Sequence, residues 1–181
     1  MIISLCGFMG VGKSTVGKYL AQFLRYKFID LDQYIEAKHN TTVSDYFARC
    51  GEEAFRQEEY NSLKEIVDDF SVGKNGNLVL ALGGGTVTRE ACASLVRERC
   101  YGVYLHCPKE ELVKRLRKRT ANRPLLQGKS EEELKVYIEN MMELREPAYK
   151  SCSKCVISTQ SGQLSKVIDD ILEMVEFEDC K

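Results

Sequence analysis

The chain has 181 residues, 44% of them hydrophobic and 29% charged, with a formal net charge of −1. This composition suits a single folded domain over residues 1–181 and excludes a disordered or fibrous chain. A charge so near zero offers no global field to recruit nucleic acid or an anionic membrane. No apolar run approaches the roughly 20 residues that span a bilayer, and the first residues carry no charged leader, so a cytoplasmic location is expected.

Ile2-Ile3-Ser4-Leu5-Cys6 reads as a first strand. It runs into Gly7-Phe8-Met9-Gly10-Val11-Gly12-Lys13-Ser14, a G-x-x-x-x-G-K-S pattern between a strand and a helix, which is the setting the phosphate loop requires. Consecutive backbone N–H groups there converge on an anion at a helix N-terminus. Lys13 is expected to reach the terminal phosphates and Ser14 to offer a hydroxyl to Mg²⁺. Apolar positions 16, 20, 23 and 24 predict a helix over 13–25. Lys27–Asp30 is a short second strand, with Asp30 and Asp32 at its carboxyl end. A short helix over 33–38 and a break at 39–42 follow. A helix over 43–50 then stops at Gly51 as C-cap, and a long helix is expected over 52–70.

Residues 73–77 read as a turn. Leu78–Leu82 is a continuous apolar run, as in a strand buried on both faces, and it ends in Gly83-Gly84-Gly85. A tight turn alone would rarely need so many glycines, so close passage of a ligand along the backbone is expected there. A helix over about 88–99, a strand over 101–107 and a further helix into the basic run Lys114–Arg119 come next. Residues 120–129 read as a loop. Ser130–Glu133 is a capping box opening a helix towards Pro147. A last strand over 154–159, a helix over 164–175 and a frayed acidic tail from Glu176 complete the chain. The eight cysteines have no export signal to favour disulfides, and Cys152-x-x-Cys155 lacks the second pair of a zinc site, so the thiols are read as structural.

Strands alternating with helices predict an α/β fold with a parallel sheet covered on both faces. Its ligand crevice lies beyond the carboxyl ends of the strands, where the phosphate loop, Asp30/Asp32 and Gly83–Gly85 must gather. One of the two carboxylates can support Mg²⁺, directly or through water, and the other can take an acceptor hydroxyl's proton. Taken alone, Arg56 and Glu59 also fit a surface ion pair, and Arg145 a charge at a helix end. Arginine forks would nonetheless suit an acidic substrate. The run from Lys114 to Arg123 holds six cations and no acid. It reads as a lid that closes over the transferring phosphoryl group, with Arg123 the best charge stabiliser.

Taken in order, GFMGVGKST (7–15), DLD (30–32), FARCGEEAFRQEE (47–59), GGG (83–85), RTANRPLL (119–126) and REPAY (145–149) resemble the shikimate kinase family. The resemblance implies a three-layer αβα phosphate-loop kinase fold with a five-stranded parallel sheet in order 2-3-1-4-5. It implies an acceptor-binding region around 33–60 and a mobile lid around 112–126. The implied reaction is transfer of the ATP γ-phosphoryl to shikimate by a protein expected to be monomeric, with one Mg²⁺ per subunit. It implies ATP contacts at Gly10, Val11, Gly12, Lys13, Ser14, Thr15, Arg119 and Arg123, with Arg119 stacking on adenine. Shikimate contacts are implied at Asp32, Arg56, Gly83, Gly84, Gly85 and Arg145, with Glu59 orienting Arg56. Lys13, Asp32 and Arg123 would be catalytic, and Ser14 and Asp30 would form the Mg²⁺ side. Residues 156–162 depart from the family, which commonly has Asp-Thr and a later proline beside the adenine. A gluconate-type kinase of the same fold and a nucleotide-binding module without an acceptor are the alternatives.

Overall fold

The computed structural model describes residues 1–71, 76–117, 130–160 and 163–179. Within them, strands β1 (Ile2–Cys6), β2 (Lys27–Asp30), β3 (Leu78–Ala81), β4 (Tyr101–His106) and β5 (Cys155–Ser158) form one sheet in the order β2-β3-β1-β4-β5. Every pairing is parallel. All five residues of β1 and all four of β3 are buried, whereas β5, at the edge, alternates buried and exposed. This is the burial expected of central and edge strands in a sheet covered on both faces.

The two sides of β1 feed two cores. Ile3 and Leu5 pack with Val16 and Leu20 of α1 (Lys13–Leu24), Leu112 and Leu116 of α5 (Lys109–Arg117) and Ile171 of α7 (Leu164–Asp179). Ile2 and Cys6 face the other way. They join Leu31 of α2 (Leu31–His39), Leu63 and Val67 of α3 (Val43–Ser71), Val96 of α4 (Glu90–Arg99) and Tyr149 of α6 (Glu131–Ser151). With side chains alternating across a strand, both sets of β1 are buried, which is why its sequence is apolar apart from the small Ser4.

Several boundaries differ from expectation for identifiable reasons. α2 starts at Leu31, because Asp30 caps it by accepting from the Gln33 N–H at 3.3 Å. Asp32 therefore sits in a first helical turn and diverges from Asp30. The helix stop expected at Gly51 is present as a non-helical residue (φ 82°, ψ 169°) between two helical stretches of α3. A 3₁₀ turn, Thr86–Thr88, precedes α4. α6 passes through Pro147 to Ser151. Proline removes one helical hydrogen bond there, but buried Tyr149 and Cys152 anchor the turn that follows. α7 continues through Asp179, so no tail begins at Glu176; a formed helix extends at little cost once Ile171 and Val175 are packed. Most of the turn expected at 73–77, and the loop at 120–129, lie outside the described residues.

Candidate active site

The loop between β1 and α1 has the backbone its sequence demands. Gly7, Gly10 and Gly12 adopt φ of 140°, 86° and 103°, values that side chains with a Cβ rarely take. At Gly7 a Cβ would also drive into the Leu105 carbonyl of β4. The chain thus leaves the sheet and enters α1 through a tight turn at the helix N-terminus. Lys13 Nζ lies back on the loop, donating to the carbonyls of Gly7 (2.8 Å) and Phe8 (3.2 Å). Ser14 Oγ donates to Asp30 Oδ2 at 2.5 Å, joining the start of α1 to the end of β2.

The three glycines after β3 face three different neighbours. A Cβ on Gly83 would come within 2.9 Å of Asp32 Oδ1 and Glu59 Oε1 and 2.8 Å of Thr86 Oγ1. On Gly84 it would meet the Met9 N of the phosphate loop at 3.4 Å, and on Gly85 the Arg56 guanidinium at 2.8 Å. At 83 and 85 the position a Cβ would take is filled by side chains of the site itself. These glycines are required because carboxylates and a guanidinium press on the backbone. Arg145 Nη1 donates to the Gly84 carbonyl at 3.3 Å. Asp32, Arg145 and Arg56 are thereby brought to consecutive residues of one turn, directly against the phosphate loop.

Arg56 is held on several sides. Its Nη1 pairs with Glu59 Oε2, its Nη2 with Glu52 Oε1 at 3.4 Å, and it lies 5.7 Å from the ring centroids of both Phe47 and Phe55. Glu59 is 1% exposed and both its oxygens are used, Oε2 by Arg56 and Oε1 by the Thr86 hydroxyl at 2.7 Å. The Asp32 carboxyl is pushed up to about 6, first by loss of water around it, then by the negative charges of Asp30 and Glu59, with Lys13 opposing. A carboxylate tuned into this range is a competent proton acceptor near neutral pH.

Beside the phosphate loop lies a cavity of about 430 Å³, lined by Gly10, Val11, Gly12, Thr15, Arg115 and Thr159 among others. Arg115 Nη2 donates to the Thr159 carbonyl at 2.6 Å, Nη1 reaches the Val11 carbonyl at 3.4 Å, and Nε pairs with Glu111. This ties the base of the expected lid to both the phosphate loop and the end of β5.

The sequence matches the profile of the family described as Shikimate kinase over residues 9–176. A shikimate kinase of Chlorobium limicola is 37% identical over 179 residues, spanning 96% of this chain and 86% of that protein. The chain belongs to the shikimate kinase family. Among solved structures, the shikimate kinase of Bacteroides thetaiotaomicron superposes with a TM-score of 0.88 at 33% identity, covering 97% of this chain and 98% of that one. The Acinetobacter baumannii shikimate kinase in complex with shikimate superposes at 0.87 and 33% identity, covering 99% and 95%.

Of the residues the family resemblance singled out, the structure brings together Lys13, Ser14, Asp30, Asp32, Arg56, Glu59, Gly83, Gly84, Gly85 and Arg145. Gly10, Val11, Gly12 and Thr15 line the neighbouring cavity. Arg119, Arg123 and most of the expected lid lie outside the described residues. Where the segment after β5 departs from the family's usual pattern, Thr159 takes part through its backbone and hydroxyl, donating N–H and Oγ1 to the His106 carbonyl at 2.8 and 3.2 Å. Two residues escaped sequence reasoning. Thr86 follows the glycines directly, and only its partner, a buried glutamate, reveals its task. Arg115 was submerged in a basic run whose members are indistinguishable until the helix shows which one points back at the loop. The Cys152-x-x-Cys155 pair is buried, and among the described residues no group of three His, Cys, Asp or Glu could hold a metal.

Proposed function

We propose that this chain transfers the γ-phosphoryl group of ATP to the 3-hydroxyl of shikimate, using a single domain over residues 1–181, as a cytoplasmic monomer. The observation that carries this reading is the convergence of Asp32, Arg145 and Arg56 on Gly83, Gly84 and Gly85, with Gly84 against the phosphate loop. A small acid seated on that turn presents its hydroxyl to the phosphate chain.

In this mechanism Arg56 and Arg145 hold the substrate carboxylate as forks, and the backbone of Gly83–Gly85 supplies further contacts. Asp32 orients the attacking hydroxyl and accepts its proton late, since phosphoryl transfer is dominated by positioning and charge stabilisation. Lys13 leaves the carbonyls of Gly7 and Phe8 for the β- and γ-phosphates. Arg123 adds positive charge when the lid over 112–126 closes, and Arg119 stacks on the adenine. The hard oxygen donors Ser14 and Asp30, 2.5 Å apart, fit one Mg²⁺ held partly through water. That ion would neutralise phosphate charge. The acceptor region around 33–60 contributes Arg56 and its supports.

A coupled ADP-release assay tests the assignment. Turnover is expected with shikimate and to be absent with gluconate or without acceptor. Turnover with gluconate alone would favour a sugar-acid kinase, and acceptor-independent nucleotide binding without turnover would favour a regulatory module. Both acids carry a carboxylate that arginine forks could hold, so the preference for shikimate rests on the family match over residues 9–176.

A further inference from the structure

One buried side chain outside the assigned substrate contacts is bonded to the acceptor turn. Tyr149 of α6 is fully buried. Its hydroxyl donates to the Gly84 carbonyl at 2.5 Å, the same oxygen that receives Arg145 Nη1 at 3.3 Å. Its ring packs on Tyr104 with centroids 5.3 Å apart. Its own carbonyl lies 3.7 Å from the Cys6 thiol, the last residue of β1 before the phosphate loop. Burial pushes the phenol well above its ordinary range, so it stays a donor throughout the neutral range.

We propose that Tyr149 is a positioning residue for the acceptor: its hydroxyl fixes the Gly84–Gly85 peptide plane and the pose of Arg145. This rests on the assignment of Arg145 and the glycine turn to the acceptor. The physical reason lies in the glycines. A peptide between two glycines meets little steric resistance to reorientation, and turning it over exchanges the directions of its carbonyl and N–H. A strong donor fixed on the carbonyl side, from a residue locked in the core, pins the N–H to the opposite side. It also relieves Arg145 of being that carbonyl's principal donor, which leaves the guanidinium fork available to a substrate carboxylate. The device depends on α6 continuing through Pro147, since a helix ending there would not carry residue 149 back to the turn.

The experiment is steady-state kinetics of Tyr149→Phe, Arg145→Ala and the double variant, with shikimate and ATP varied separately and melting temperatures recorded. Phe keeps the ring packing and removes only the donor. The expected result is a KM for shikimate raised about tenfold, the scale of leaving one buried acceptor short of its donor, with KM for ATP within about twofold of the parent. The two losses are expected to be less than additive in the double variant, because both residues act on one carbonyl. A shikimate KM within about twofold in Tyr149→Phe, an equal rise for both substrates, a failure of the Phe variant to fold, or additive effects in the double variant would each overturn the proposal. Arg145→Ala with an undisturbed shikimate KM would instead sink the acceptor assignment of Arg145, a result distinct from any reading of Tyr149→Phe.

Discussion

The two halves of the crevice are built by opposite means. The centre of the proposed donor half is one contiguous stretch, residues 7–15, whose shape follows from three glycines at positive φ and which would meet phosphate mainly with backbone N–H groups. The acceptor half is assembled from α2, α3, the turn after β3, and α6. Its proposed working parts are side chains: Asp32, Arg56 and Arg145, backed by Glu59, Thr86 and Tyr149. Polyphosphate is a repeated, generic group that suits a backbone cradle. A particular small acid has to be recognised by charges placed at fixed separations, which only side chains on rigid elements provide. Glycine has a different task in each half. In the loop it permits a backbone conformation, whereas after β3 it makes room for neighbouring charges.

Mutations that strike one half and spare the other test this division. Asp32→Asn removes the proton acceptor while preserving shape. It should lower kcat at least about 100-fold with the ATP dissociation constant unchanged by calorimetry; near-normal turnover would remove Asp32 from the reaction. Arg56→Ala should raise the shikimate requirement by about 2–5 kcal/mol and leave KM for ATP alone. It should also lower the melting temperature, because buried Glu59 keeps only Thr86. An unchanged shikimate KM would argue against the clamp.

The pH profile separates the halves differently. Asp32, shifted from 3.8 to about 6, must be ionised to accept a proton, so kcat/KM for shikimate should fall as pH drops through about 6. Its effect on stability has the opposite sign. A carboxyl with a raised folded value binds its proton more tightly when folded, so its stabilising contribution is present below the unfolded value near 4 and is lost as pH rises through about 6. Acidification from pH 7 should thus remove activity while this group's contribution to stability grows, and Asp32→Asn should abolish both trends. The smallest effect is expected from Thr86→Val, which deprives Glu59 of one donor. A loss of about 1 kcal/mol in shikimate binding, seen as a roughly fivefold KM change with ATP unaffected, would show that the support reaches the acceptor through Arg56.

The phosphate loop was legible in the amino-acid order because every requirement in it is local. The glycines, Lys13 and Ser14 are neighbours in the chain, and their spacing alone implies the loop, as continuous apolar runs and the succession of strands and helices imply a covered parallel sheet. Most element boundaries could likewise be anticipated, except where a local stop signal met a distant contact, whereas the strand order came only through the likeness to a family. Pro147 was expected to end a helix and did not, since Tyr149 is fastened to the core. In the acceptor half, Asp32 and the glycine turn could be placed at the crevice from the strand ends, but Arg56 and Arg145 only through likeness to a family. Nothing in the spacing of 32, 56, 85 and 145 brings them together; the pairing of β2 with β3, and of β3 with β1, does that. The purpose of the triple glycine, and the hidden partnerships of Thr86, Arg115 and Tyr149, belonged to tertiary structure alone. Contacts between residues far apart in the chain leave no periodicity or local pattern to read, because they are set by packing rather than by neighbours in sequence.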